Sequence, residues 1–223
     1  MRLRSSVNGP QIREMLLDKA AAVAAISWFG LSIAQSVVVI RAGYANAASG
    51  LIVLVHIANV VLLGLIILGL AFRRKLLLRP QGPWPRIAGL AGFIAPLVLA
   101  FTPRANLQGA AAFASAALML AGTLGAIWAI AYLGRAFSIM PQARALVTNG
   151  PYRFVRHPLY AAELLAVAGV MMEHVQPWAI LAYVLAALAQ LPRIVWEERV
   201  LTEAFPNYVD YQRRTARLIP FVY

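Results

Sequence analysis

Acidic residues are few in this 223-residue chain and unevenly placed: after Asp18 the next is Glu163, followed by Glu173, Glu197, Glu198, Glu203 and Asp210. Chemistry that needs a carboxylate therefore belongs to the carboxyl-terminal part. Glu163 falls inside an apolar run, where an ionised carboxylate costs ~2.5–3.5 kcal/mol on insertion scales unless partnered, so it must face protein or a wet cavity. Arg156, Tyr160 and Glu163 follow at steps of four and three, the spacing of one helical face. That spacing suits a buried ion pair that orients the helix, or a binding site. The preceding loop reads Asn149-Gly150-Pro151-Tyr152-Arg153-Phe154-Val155-Arg156-His157-Pro158. Asn-Gly-Pro marks a turn, and Pro158 suits the first turn of a helix, where its missing N–H costs nothing. A turn and a helix start leave unexplained why aromatic and cationic residues cluster beside a membrane carboxylate. The free N–H groups of such a loop and helix start can hold an anionic group such as a carboxylate. Further on, Arg193 and Glu197 share a helix face, where a simple ion pair is worth ~0.2–0.5 kcal/mol. Pairing alone does not call for the second glutamate, Glu198.

The elements that must position these residues are apolar. Hydrophobic residues make up 61% of the chain and charged ones 13%, with a formal net charge of +12, against ~25% charged in ordinary soluble domains. Apolar runs lie at 20–40, 51–72, 87–101, 107–133, 159–172 and 177–192. The first, second and fourth are long enough to cross ~30 Å of hydrocarbon at ~1.5 Å per residue. The other three fall short of the ~17 residues usually needed and must borrow flanking residues, pair as a hairpin or stop inside the protein. The predicted fold is all-α: a polytopic integral membrane bundle of about six transmembrane segments, five to six. Residues 1–106 would be a scaffold of three spans, and 107–223 a catalytic core of three spans with a loop and a carboxyl-terminal segment.

Charge tests this division, because cytoplasmic loops collect Lys and Arg. Alternate segments hold every basic residue except Arg41 and Arg104, which puts both termini, the 150–160 loop and the Arg193–Glu198 cluster on the cytoplasmic side. Ala45-Asn46-Ala47 has the look of a signal-peptidase site, but the preceding apolar run exceeds the ~7–15 residues of a signal core, so it reads as a retained first helix. Residues 10–19 read as a short interfacial helix. His56 and Asn59 lie on one face of the second run and suit a hydrogen bond between helices. With no Cys, and with three scattered histidines (His56, His157, His174), neither a thiol nucleophile nor a metal site is expected. Positive charge spread over alternating loops argues against nucleic acid.

Taken together, Leu133-Gly134-Arg135-Ala136-Phe137-Ser138, Gly150-Pro151-Tyr152, Arg156-His157-Pro158 with Tyr160, Glu197-Glu198 and Phe205 to Tyr211 resemble the isoprenylcysteine carboxyl methyltransferase family and its phospholipid methyltransferase relatives. The likeness covers about residues 120–220. Pro206 stands where many members have Gly, and Ala161-Ala162 replaces a frequent small Gly. The resemblance implies S-adenosylmethionine as methyl donor, held at the cytoplasmic side by Gly150, Pro151, Tyr152, Arg156, His157, Pro158, Tyr160, Glu163 and Glu198. It implies Arg193 and Glu197 at the transfer site, and a lipid-like or prenylated acceptor entering sideways from the bilayer.

The chemistry agrees with these residue types. Displacement at a sulfonium methyl needs alignment and water exclusion more than a metal or covalent nucleophile. A cationic sulfonium suits carboxylates and aromatic faces, while Arg suits an anionic acceptor. A carboxylate acceptor needs no base; a phenol or amine would require Glu197, Glu198 or His157 to take a proton. Two rival readings remain: an NADPH-dependent sterol-type reductase with a similar Arg-His-Pro-x-Tyr region, and a non-catalytic membrane carrier or assembly protein.

Overall fold

The structure is a computed structural model that describes residues 23, 26–38, 40–41 and 47–220. The interfacial helix expected at 10–19 lies outside these residues. Seven α-helices and short 3-10 segments make up the described chain: α1 (Ile26–Val38), α2 (Ala47–Ala71), α3 (Trp84–Ile94), α4 (Gly109–Leu133), α5 (Pro158–Met172), α6 (Trp178–Ala204) and α7 (Tyr208–Arg214). Among the described residues three helical stretches are long and apolar enough to cross a membrane: Gly50–Ala71, Gly109–Ala136 and Trp178–Ala204. The protein is an integral membrane helical bundle.

Two of the short runs solve their length problem differently. The sixth was expected to end near Pro192, yet α6 passes through that proline and continues to Ala204, giving 27 residues. Proline is tolerated inside membrane helices because neighbouring groups re-satisfy the carbonyl it frees. The third run is α3 followed by a 3-10 helix, Ala95–Phe101, with Pro96 in its first turn. Pro cannot donate the i→i−4 bond that would continue an α-helix. At ~1.5 Å per α residue and ~2.0 Å per 3-10 residue, the pair extends ~30 Å.

Helix α4 packs against α2 and α5, and α6 against α3 and the following 3-10 helix. Phe29, Leu63, Leu70, Ile130 and Phe137 form the buried cluster that joins α1, α2 and the end of α4. His56 and Asn59 both reach Ser36 on α1 at 3.3 Å, the interhelical contact their spacing suggested. Large apolar side chains such as Leu54, Val61, Leu181, Leu185 and Leu188 are exposed, as surfaces facing lipid would be.

The α4–α5 seam is built from small residues. A Cβ on Gly122 would overlap the backbone of Ala166, and one on Gly169 would sit 2.7 Å from the Ser115 carbonyl oxygen. Ser115 Oγ donates to Gly169 O at 2.9 Å across the same seam. Such close approach replaces the hydrophobic drive that lipid cannot supply. Gly122→Leu should therefore cost ~1–3 kcal/mol by overpacking, read as a lower melting temperature of the detergent-solubilised protein. Gly64→Leu, where an added Cβ meets nothing within 4 Å, is the control; equal melting of the two variants would refute the seam.

Candidate active site at the α5–α6 end

Segments 72–83, 134–157 and 205–220 gather at one end of the bundle, tied by Arg74 N–H to Arg135 O at 2.7 Å and Ala143 N–H to Leu78 O at 2.9 Å. At the other end, Val175 N–H bonds Pro103 O and Ala105 N–H bonds Glu173 O, each at 2.8 Å. Arg104 sits at that second end, opposite His174.

Gly150 opens the site loop with φ of 59°, left-handed backbone that glycine adopts without strain. The ring of Tyr132 packs where its side chain would be, 2.6 Å from a built Cβ. A 3-10 turn, Gly150–Arg153, follows, and Pro158 begins α5. Here the structure corrects one expectation. Arg156 does not share a helical face with Tyr160 and Glu163, because the helix begins only after His157, whose φ of −125° and ψ of 57° are non-helical. The residue before a proline is pushed out of the α region.

Arg156 turns instead to the carboxyl-terminal segment. Its N–H bonds Ala216 O at 2.8 Å, the next N–H, of His157, bonds Arg217 O at 3.0 Å, and its guanidinium donates to the carbonyls of Gln212 and Thr215. Glu198 closes this knot. Its Oε1 accepts from Arg156 Nε at 2.6 Å and lies 3.3 Å from His157 Nε2, while Oε2 accepts from Arg217 Nε at 3.0 Å. The carboxylate is buried, and both its oxygens are engaged.

A second polar chain runs along the other side of α6. Glu163 accepts from Gln190 Nε2 at 3.2 Å, and Gln190 Oε1 accepts from Arg193 Nη1 at 3.4 Å. Arg193 also donates to Ile139 O at 3.3 Å and lies over the Tyr160 ring, 4.6 Å from its centroid. Tyr160 OH donates to Glu197 Oε2, and His157 stacks on the same ring at 5.3 Å with the planes 6° apart. Arg193 and Glu197 thus meet on Tyr160, one on its face and one on its hydroxyl, rather than as the direct i,i+4 pair their spacing suggested.

Both chains border one cavity of about 690 Å³, counted with its open mouth. Of the expected site residues, Tyr152, Arg156, His157, Tyr160, Arg193 and Glu197 line it. Gly150, Pro151, Pro158, Glu163 and Glu198 stand behind that wall, supporting the loop or holding its members. The apolar wall comes from Leu133, Ala136, Phe137, Met140, Leu146 and Leu201, and further polar side chains from Ser138, Gln142, Tyr208 and Tyr211. The sequence reading assigned no role to Gln142, Tyr208 or Tyr211. For the last two a cue existed, since tyrosines three apart share one face of α7.

The tyrosines are held neutral. Burial, then the charge of Glu197, pushes the Tyr152 phenol well above its usual value, and burial does the same to Tyr208. Tyr211, whose OH donates to Tyr152 O at 2.6 Å, is pushed up to about 12 by burial against the opposing charge of Arg156. A phenol raised in the fold contributes fully below its unfolded value near ~10 and loses that contribution as pH climbs toward the folded one. Melting temperature should therefore fall between pH ~10 and 12, less steeply in Tyr211→Phe. Parallel curves for the two proteins would deny Tyr211 this part.

Comparison with known proteins bears on the same stretch. The phospholipid methyltransferase family model matches residues 110–208, which contain α4, α5, α6 and most of the cavity. Similar proteins include the cobalt-zinc-cadmium resistance protein CzcN of Cupriavidus metallidurans, 38% identical over 102 residues, 44% of each chain. The nickel-cobalt-cadmium resistance protein NccN of Alcaligenes xylosoxydans xylosoxydans is 36% identical over 48% of this chain and 51% of its own. Protein-S-isoprenylcysteine O-methyltransferase B of Arabidopsis thaliana is 32% identical over 42% of this chain and 51% of its own. The matches thus span about half the length of these relatives. The fold of the whole chain is similar to that of the eukaryotic intramembrane Ras methyltransferase ICMT, with a TM-score of 0.51 at 19% identity, covering 95% of this chain and 86% of that one. The likeness to that structure is one of fold.

Proposed function

We propose that the protein is an integral-membrane, S-adenosylmethionine-dependent methyltransferase that acts on a lipid-like or prenylated acceptor, with its site on the cytoplasmic face. The observation that carries this reading is the single cavity that joins the 150–160 loop to Arg193 and Glu197 of α6.

The residues present suit the cofactor. Arg193 Nε and Tyr208 OH are buried without a hydrogen-bond partner, and both residues line the cavity. Unpaired buried polar atoms cost free energy, so a ligand that engages them is favoured. Tyr152, Tyr208 and Phe137 offer aromatic side chains to a cation, and Glu197 a carboxylate. When bound, S-adenosylmethionine supplies an electrophilic methyl group on a positively charged sulfur.

The chain's own part is to bind, align and exclude water. Arg156 and Arg193 can hold an anionic acceptor or the cofactor's carboxylate. Glu197 accepts a hydrogen bond from the Tyr160 hydroxyl, and can take a proton from an amine or phenol acceptor at Oε1 or Oε2. The apolar wall, with Leu133, Ala136, Phe137 and Leu201, keeps water from the path of the displacement. Cytoplasmic placement draws support from the basic residues at this end, in accord with the positive-inside bias.

The test incubates purified protein with labelled S-adenosylmethionine and host membrane extract, then follows the label into lipid. Base-labile label identifies an ester, and stable label an ether or amine. Adenosylhomocysteine should bind in preference to NADPH. Failure to bind it, together with no label transferred, would overturn the enzyme reading. The reductase alternative finds no support in the likenesses above.

A further inference from the structure

We propose that Gln190, backed by Glu163, is a positioning pair that fixes the Arg193 guanidinium against the Tyr160 ring and so sets the polar wall of the cavity. The proposal rests on the methyltransferase reading and extends it to two residues that do not touch the cavity. Gln190 is buried to 1% exposure in the membrane-spanning part of α6, where a polar side chain without partners would be costly. Both ends of its amide are used. The NH2 group donates to Glu163 Oε2 at 3.2 Å, and Oε1 accepts from Arg193 Nη1 at 3.4 Å.

This order has only one chemically consistent direction. A carboxylate only accepts and a guanidinium only donates, so the group between them must donate on one side and accept on the other, as an amide does. Those partners also fix which end of the Gln190 amide is oxygen. Leucine at this position would break both bonds, and glutamate would set two carboxylates against each other. Arg193 is held on three sides: by Gln190, by Ile139 O at 3.3 Å, and by the Tyr160 ring. Only the first contact comes from its own helix, through a side chain itself anchored on α5.

Helix α3 presses the pair into place. A Cβ on Gly92 would lie 2.9 Å from Gln190 Oε1 and 3.1 Å from Arg193 Cδ. Glycine at 92 therefore lets α3 close over Gln190 and Arg193, and Gly92→Ala would displace the pair without altering its chemistry. A misplacement of about 1 Å at a reacting centre can cost ~10²-fold in rate.

Purified wild type, Gln190→Leu, Gly92→Ala, Glu163→Gln and Glu163→Leu are to be compared by two measurements. The first is the rate at which phenylglyoxal modifies Arg193, mapped by mass spectrometry, which needs neither cofactor nor turnover. The second is methyl transfer, with adenosylhomocysteine affinity measured separately. Gln190→Leu and Gly92→Ala are expected to speed modification of Arg193 several-fold. Their kcat should fall ~10- to 100-fold, with adenosylhomocysteine affinity changed far less. Glu163→Gln, which can still accept from Gln190, should retain more activity than Glu163→Leu. The proposal is overturned if Arg193 reacts in Gln190→Leu and Gly92→Ala as slowly as in wild type, or if the two Glu163 variants lose equally. Slow modification in wild type and fast modification in the variants, with no methyl transfer by any of them, would refute the enzyme reading and leave the positioning of Arg193 standing.

Discussion

Replacing Glu198 by leucine is expected to unfasten the carboxyl-terminal segment from the cavity. The Glu198 carboxylate is 4% exposed and binds Arg156, His157 and Arg217 at 2.6, 3.3 and 3.0 Å. Leucine would leave the Arg156 guanidinium buried without its counter-charge, a change that costs ~3–5 kcal/mol in buried pairs. The Arg217 side chain is 31% exposed and can turn to water, so the lower end of that range applies here. At ~2–4 °C per kcal/mol for a chain of this size, the melting temperature should fall by roughly 6–12 °C. Limited proteolysis should cut after α6, because the 215–217 stretch is held by the same Arg156 and His157. Glu198→Gln keeps an acceptor but loses the charge, and should fall between wild type and leucine. Wild-type melting and an uncut tail in Glu198→Leu would show that the knot contributes nothing.

The neighbouring residue should behave in the opposite way. Glu197 lines the cavity and accepts the Tyr160 hydroxyl, with no cation in direct contact among the described residues. Glu197→Ala is expected to lower methyl transfer ~10²-fold or more, the scale of losing a proton acceptor or an aligning group. Its melting temperature should shift far less than that of Glu198→Leu. Tyr160→Phe, which removes the hydrogen bond and keeps the ring under Arg193, should lose activity in the same direction. Two results would defeat this assignment: wild-type turnover in Glu197→Ala, or a melting loss as large as that of Glu198→Leu, which would make Glu197 structural.

The contrast between these adjacent glutamates shows where the sequence stopped being legible. Both carry the same chemistry, and resemblance to a family marks both. They sit about 100° apart around α6, so one faces the cavity and the other the tail. The helix's rotation decides that, and the rotation is set by what α3, α5 and the tail pack against it. Arg156 is a similar case. Its spacing from Tyr160 and Glu163 invited a shared helical face, but Pro158 starts the helix two residues later. Freed from α5, Arg156 serves the tail. The 142–147 strip and Tyr208 reach the cavity from segments in which the sequence marked no site residue, although Phe205 to Tyr211 belong to the pattern of resemblance.

Much else was readable from local properties. Whether a run is long and apolar enough to cross a membrane depends on its own residues, and the alternation of basic loops adds a second constraint that does not require contacts. Proline at 158 and glycine at 150 announce a helix start and a turn because their backbone restrictions act within one or two residues. By these means the sequence determined an all-helical membrane bundle whose reactive groups collect in its last third. Only the tertiary structure decided that α6 runs on through Pro192, that Glu163 reaches Arg193 through Gln190, and that Glu197 and Glu198 divide cavity from scaffold. Those outcomes depend on which side chains stand opposite across 20 to 60 residues of chain, and a hydrogen bond of that kind leaves no mark on the local pattern of either partner.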